Sequence, residues 1–157
     1  MFIIYGQKEP KITTLQLGVR RTFMDAMNGV CMGINVDYKK LGFSLRNDAT
    51  LSLYKPISTN TWLVTDYKVA MYVDVSYHLF KNSYPFVGFG WISNSDQIQR
   101  FNPSYGYYAG TIGWRQEIGK NIKLELRGDI PTIKQSPIID TGVAFPISMS
   151  LFYTIGK

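Results

Sequence analysis

Asp66-Tyr67-Lys68-Val69-Ala70-Met71-Tyr72-Val73-Asp74-Val75-Ser76-Tyr77-His78-Leu79-Phe80 is the stretch that decides the fold. Every second residue, from Tyr67 through Val69, Met71, Val73, Val75 and Tyr77 to Leu79, is apolar or aromatic. The residues between them, Lys68, Ala70, Tyr72, Asp74, Ser76 and His78, are mostly polar or ionisable. A period of two sends the first set to one side of a pleated strand and the second to the other. The segment therefore reads as a β-strand with one apolar and one polar face.

The same alternation extends in both directions, and no segment carries a helical period. Toward the N-terminus it gives strands over Ile12–Phe23, Val30–Lys39 and Phe43–Tyr54, the last with its apolar face broken by Asn47. Toward the C-terminus it gives Tyr84–Ser93, Tyr105–Gln116, Ile122–Ile130 and Val143–Gly156. Pro85 falls near a strand start, where proline is tolerated. Residues 12–156 thus form one all-β domain, and residues 1–11 are an N-terminal extension whose Met1-Phe2-Ile3-Ile4-Tyr5 resembles the end of an export signal.

Composition agrees with strands: among 157 residues there are 11 Tyr, 9 Phe and 14 Gly. No apolar run approaches the roughly 20 residues of a spanning helix, a criterion blind to strands that show lipid only every second residue. The formal charge of +6 is spread among strands and turns without forming a stripe, which argues against a nucleic-acid partner. Cys31, the single cysteine, cannot close an intramolecular disulfide and has no His or Cys cluster beside it, so neither a metal site nor a cofactor is expected.

Alternation alone fits a soluble ligand-binding barrel or sandwich as well as a membrane barrel. Three features separate them. The second, fourth and sixth connections are tight while the third, fifth and seventh are long, the rhythm of short periplasmic turns and longer outer loops, with both termini on the periplasmic side. Aromatics of the apolar face gather at strand ends: Tyr38, Phe43, Tyr77, Trp114 and Tyr153 toward the tight turns, Tyr67, Trp91 and Tyr108 toward the long loops. Two such belts around an aliphatic band suit a bilayer. Finally, the polar face carries Arg20, Asp37, Arg46, Asp48, Lys68, Asp74, Arg115, Glu125, Arg127 and Asp129, an interior charge network that would ruin an apolar ligand cavity but can satisfy itself inside a narrow barrel.

With these features the chain resembles the small eight-stranded outer-membrane barrels of the OmpA transmembrane-domain type, over essentially its whole length after Pro10. The resemblance implies an antiparallel up-and-down transmembrane β-barrel in a bacterial outer membrane, in contact with its lipids. The closing Leu151-Phe152-Tyr153-Thr154-Ile155-Gly156-Lys157 is similar to the terminal strand read by barrel-assembly machinery, departing from it by ending on Gly-Lys where an aromatic is common. Members of this group serve as anchors, adhesins, accessory subunits and a few lipid-modifying enzymes, so the resemblance alone does not fix function.

The best catalytic-looking constellation is Asp74-x-Ser76-x-His78, with acid, nucleophile and base types on one polar face. Same-face neighbours on a strand lie about 6.5–7 Å apart, too far for an ideal relay, and an interior polar ladder is the simpler reading. There is no Gly-x-Ser-x-Gly elbow or phosphate-binding glycine loop. Lys39, Lys40, Lys81 and Lys120 in the tight turns would meet anionic headgroups, a periplasmic partner or only water. The expectation is a non-enzymatic barrel, structural or an accessory subunit of an envelope complex, partnered by other outer-membrane or periplasmic proteins. An outer-membrane acyltransferase, deacylase or phospholipase is the alternative, then a narrow channel.

Overall fold

A strand with one apolar and one polar face leaves its edge groups unpaired until a neighbour covers them, and closure into a barrel removes every edge. A computed structural model, which describes residues 12–23, 27–54, 63–80, 82–96, 105–131 and 146–156, has this form. Eight strands run in chain order: β1 (Ile12–Thr22), β2 (Asn28–Tyr38), β3 (Leu41–Tyr54), β4 (Leu63–Tyr77), β5 (Ser83–Asp96), β6 (Tyr105–Ile118), β7 (Ile122–Pro131) and β8 (Ile147–Ile155). Each pairs antiparallel with the next, and β1 closes the barrel on β8 from Leu15↔Ile155 to Thr22↔Ser148. The predicted extension at residues 1–11, Lys81 and much of the three long connections lie outside the described residues.

The two faces are inverted relative to a water-soluble protein. Along β8, Ile147, Met149, Leu151, Tyr153 and Ile155 are 41–53% exposed on the outer wall, while Ser148, Ser150, Phe152 and Thr154 are at most 2% exposed in the lumen. β3 repeats the pattern, with Phe43 and Leu45 outside and Ser44, Arg46 and Asp48 inside. An apolar outer wall over a polar core is stable only in lipid.

The strand boundaries differ from the sequence reading where turn geometry intervenes. Tyr38 pairs with Leu41, so the hairpin between β2 and β3 has only Lys39 and Lys40 at its tip and Leu41-Gly42 joins β3. Lys39 takes the left-handed conformation, with φ of 56°, that so short a turn demands. β4 stops at Tyr77, short of the predicted Phe80, because Phe80 donates its N–H to the Ser83 carbonyl at 3.2 Å and closes the next turn. β2 begins at Asn28, two residues before the predicted Val30, and β5 reaches Asp96.

Candidate functional site

The lumen concentrates the chain's chemistry. β1 supplies Arg20, β3 Arg46 and Asp48, β4 Tyr72 and Asp74, β6 Arg115, and β7 Glu125, Arg127 and Asp129, none of them more than 3% exposed. Four guanidinium groups (Arg20, Arg46, Arg115, Arg127) thus face four carboxylates (Asp48, Asp74, Glu125, Asp129), and the cluster is neutral. Buried ions tolerate such a place only when each is paired and hydrogen-bonded.

Every carboxylate is held from more than one direction. Asp74 accepts from Arg115 Nη2 at 2.6 Å, from both terminal nitrogens of Arg127, and from Thr111 Oγ1 at 3.2 Å. Glu125 accepts from Arg115 Nε at 2.7 Å, Arg127 Nε at 3.0 Å and Arg46. Asp48 is bound by Arg46 and Arg20. Arg20 also reaches Asp129 at 3.2 Å, and Tyr72 accepts from Arg20 while donating to Asp129, both at 3.1 Å. The network therefore ties β1, β3, β4, β6 and β7 together across the lumen.

Aromatic rings fill the space between the guanidiniums. Arg127 stacks over Tyr72 and Phe86 at 4.3 and 4.7 Å, and Arg115 over Phe86 at 4.3 Å. Phe152 lies under Arg46 at 5.4 Å. These rings fit because each faces a glycine on the adjacent strand, in the pairs Phe152–Gly18, Tyr72–Gly90 and Phe86–Gly113. A Cβ at any of the three glycines would come within 3.0 Å of ring carbons. The interior network read from the sequence holds charged groups only; alternation places Tyr72 and Phe152 on the inner face without a role and assigns Phe86 to neither face. The signal in the sequence is an inward aromatic with glycines at inward positions of the neighbouring strand; the register that joins them appears only in the structure.

Two of the ten predicted interior charges lie apart from this cluster. Asp37 sits toward the tight-turn end, where its Oδ1 accepts from Asn35 at 2.8 Å and meets His78 Nε2 at 3.3 Å. Lys68 is buried toward the long-loop end, its backbone carbonyl accepting from Thr50. Asp74-x-Ser76-x-His78 is not assembled as a relay. Asp74 is engaged by the arginines, Ser76 donates to the Gly42 carbonyl at 3.3 Å, and His78 pairs with Asp37 while stacking on Tyr84 at 4.3 Å. Cys31 is buried at 3% exposure, and among the described residues no His, Cys, Asp and Glu group is placed to hold a metal ion.

Outside, Tyr38, Phe43, Tyr77, Trp114 and Tyr153 lie toward the tight turns, and Trp91, Tyr108 and the half-buried Tyr67 toward the long loops. Asn121 donates to the Tyr153 hydroxyl at 3.1 Å, a polar anchor at the belt. Leu17, Ile34, Val73, Ile112 and Leu126 lie in the band between.

No protein-family model matches the chain, and no curated protein matches it in sequence. Solved structures do. The outer-membrane protein Ail of Yersinia pestis in a phospholipid bilayer nanodisc aligns with a TM-score of 0.60 at 6% identity, over 92% of this chain and 99% of that one. The fold is that of the small outer-membrane barrels. The N-terminal β-barrel domain of Pseudomonas aeruginosa OprF aligns with a TM-score of 0.51 at 13% identity, over 90% of this chain and 96% of its own. A de novo designed transmembrane β-barrel gives 0.51 and 13%, over 95% and 98%. With this fold, an apolar wall and two aromatic belts, the chain is an integral barrel of the outer-membrane type.

Proposed function

We propose that the chain works non-enzymatically through its outside, as a structural or accessory subunit of a bacterial envelope complex, with its termini and tight turns in the periplasm. The observation behind this reading is the neutral cluster at the centre of the lumen, in which all four carboxylates and all four arginines already have ionic partners. A lumen so filled offers little room for substrate or a stream of ions, which leaves wall, loops and rim as working surfaces. Lys39, Lys40 and Lys120, exposed at the tight turns, would then meet periplasmic partners or inner-leaflet headgroups. Purification in mild detergent should retain another envelope protein; a chain that always emerges without one counts against the subunit role.

A second reading, a lipid-modifying enzyme, is favoured by one observation. Ser76 Oγ, Asp37 Oδ1 and His78 Nε2 converge on Gly42, all within 3.4 Å of where a Cβ there would stand, and Asp37 meets His78 at 3.3 Å. Hydrolase or acyltransferase activity on phospholipid or lipid A that vanishes in Ser76→Ala and His78→Ala would establish that reading and displace the first.

A further inference from the structure

Asn47 faces lipid at the middle of the barrel wall, and nothing in the lumen chemistry accounts for it. It is exposed on the outer side of β3, registered between Met32 of β2 and Met71 of β4. Phe43 of the lower belt lies four residues below it, and Leu51, the partner of belt residue Tyr67, four residues above. At a strand rise of about 3.4 Å these residues lie roughly 13 Å along the strand in either direction, about 10 Å of height at a tilt of about 40°, which puts Asn47 near the midplane of a band about 25 Å tall. The other polar side chains on the described outer wall, such as Thr13, Arg21, Asn28, Ser83, Ser93 and Gln116, lie near strand ends. The Asn47 amide makes no hydrogen bond within the described residues, and an unpaired amide in hydrocarbon costs several kcal/mol.

The surroundings of Asn47 are shaped for close approach. A groove of about 380 Å³ crosses the wall here, lined on its outer side by Leu17, Val30, Met32, Asn47, Ala49 and Val69. Ala49 gives it a shallow floor, and the flanking methionines can adapt to an incoming surface.

We propose that this face docks a second copy of the chain in a two-fold dimer whose axis runs along the membrane normal, with Asn47 meeting its counterpart. Acyl chains at the midplane carry no donor or acceptor, so lipid filling the groove would leave the amide unpaired. An amide carries both donor and acceptor, so two of them satisfy each other. Two copies inserted in the same direction present Asn47 at the same depth, and a two-fold axis brings the same patch of each together. The idea builds on the reading that the wall is the working surface, and names its first partner.

The test uses the purified full chain in phosphatidylethanolamine–phosphatidylglycerol vesicles at falling protein-to-lipid ratios. In a Cys31→Ser background, Asn47→Cys should form an intermolecular disulfide under mild oxidation, whereas Leu126→Cys, on the opposite strand β7, should not. Sedimentation equilibrium in density-matched micelles should show association weakened about tenfold by Asn47→Leu and largely kept by Asn47→Gln. Circular dichroism checks that each variant folds, which a lipid-facing change should leave intact. A wild type that is monomeric at all ratios, a dimer indifferent to Asn47→Leu, or equal cross-linking from Leu126→Cys overturns the proposal. A different envelope protein cross-linked at position 47 in whole cells also overturns it, yet upholds the accessory-subunit reading. A chain that dimerises but never retains another protein supports the dimer and removes the wider complex.

Discussion

Asp74→Asn is the sharpest probe of the lumen. The substitution keeps the shape of the side chain and removes one negative charge from a cluster of four acids and four arginines. Arg115 loses its 2.6 Å ion pair with Asp74 and Arg127 its own, so both must share Glu125, which Arg46 already occupies. Asp74 is 0% exposed, so water cannot take its place without opening the core. Removing one partner from such a buried cluster costs roughly 3–5 kcal/mol. With a urea slope of about 2 kcal/mol per molar, the unfolding midpoint should fall by about 2 M. The assay is reversible urea unfolding in lipid vesicles, followed by tryptophan emission. Asp74→Leu with Arg127→Met, which removes a charge of each sign, should be less destabilising than Asp74→Asn alone, because it leaves no net charge in the core. A midpoint for Asp74→Asn within about 0.25 M of wild type would show that water already bathes these groups, and the packed-lumen argument would collapse.

Three further outcomes follow from the geometry. Gly90→Ala drives a methyl into the Tyr72 ring and should cost about 1–3 kcal/mol in the same assay; paired with Tyr72→Leu, the double variant should cost less than the two single changes summed. Cys31, 3% exposed on the lumen side, should resist a water-soluble maleimide in the folded barrel and react within minutes in urea, as mass spectrometry would show. Single-tryptophan variants keeping Trp91 or Trp114 should both be quenched more by lipids brominated near the headgroup than by lipids brominated near the chain end; stronger deep quenching of either would dismantle the belts.

Much of this barrel could be read along the chain because a strand between lipid and a polar lumen writes its two environments into alternate residues. β4 and β8 show it most plainly, and the short and long connections add the up-and-down order. Strand ends are less visible. Alternation runs on through His78, Leu79 and Phe80, yet the ladder has already stopped at Tyr77, because the end of a strand depends on where its neighbour turns. The partners within the lumen are less visible still. That Glu125 meets Arg46, or that Asp37 joins His78 and stands apart from the arginines, depends on the stagger between strands, which no single strand records. Alternation puts Tyr72 on the inner face but does not show its role, because Tyr72 or Phe86 becomes a stacking platform only once a glycine of the next strand lies beside it.

The lumen network also carries a sense of time. Among the described residues, Asp74 on β4 forms its ion pairs with Arg115 and Arg127, which enter with β6 and β7, and Arg46 on β3 reaches Glu125 on β7. A sheet that lacks β6 and β7 therefore leaves Asp74 without its arginines, while Arg20 and Arg46 already have Asp48 within β1 and β3. The centre of the lumen is fully paired only with β6 and β7 in place, so the C-terminal strands act as the bolt on a door hung by the N-terminal ones.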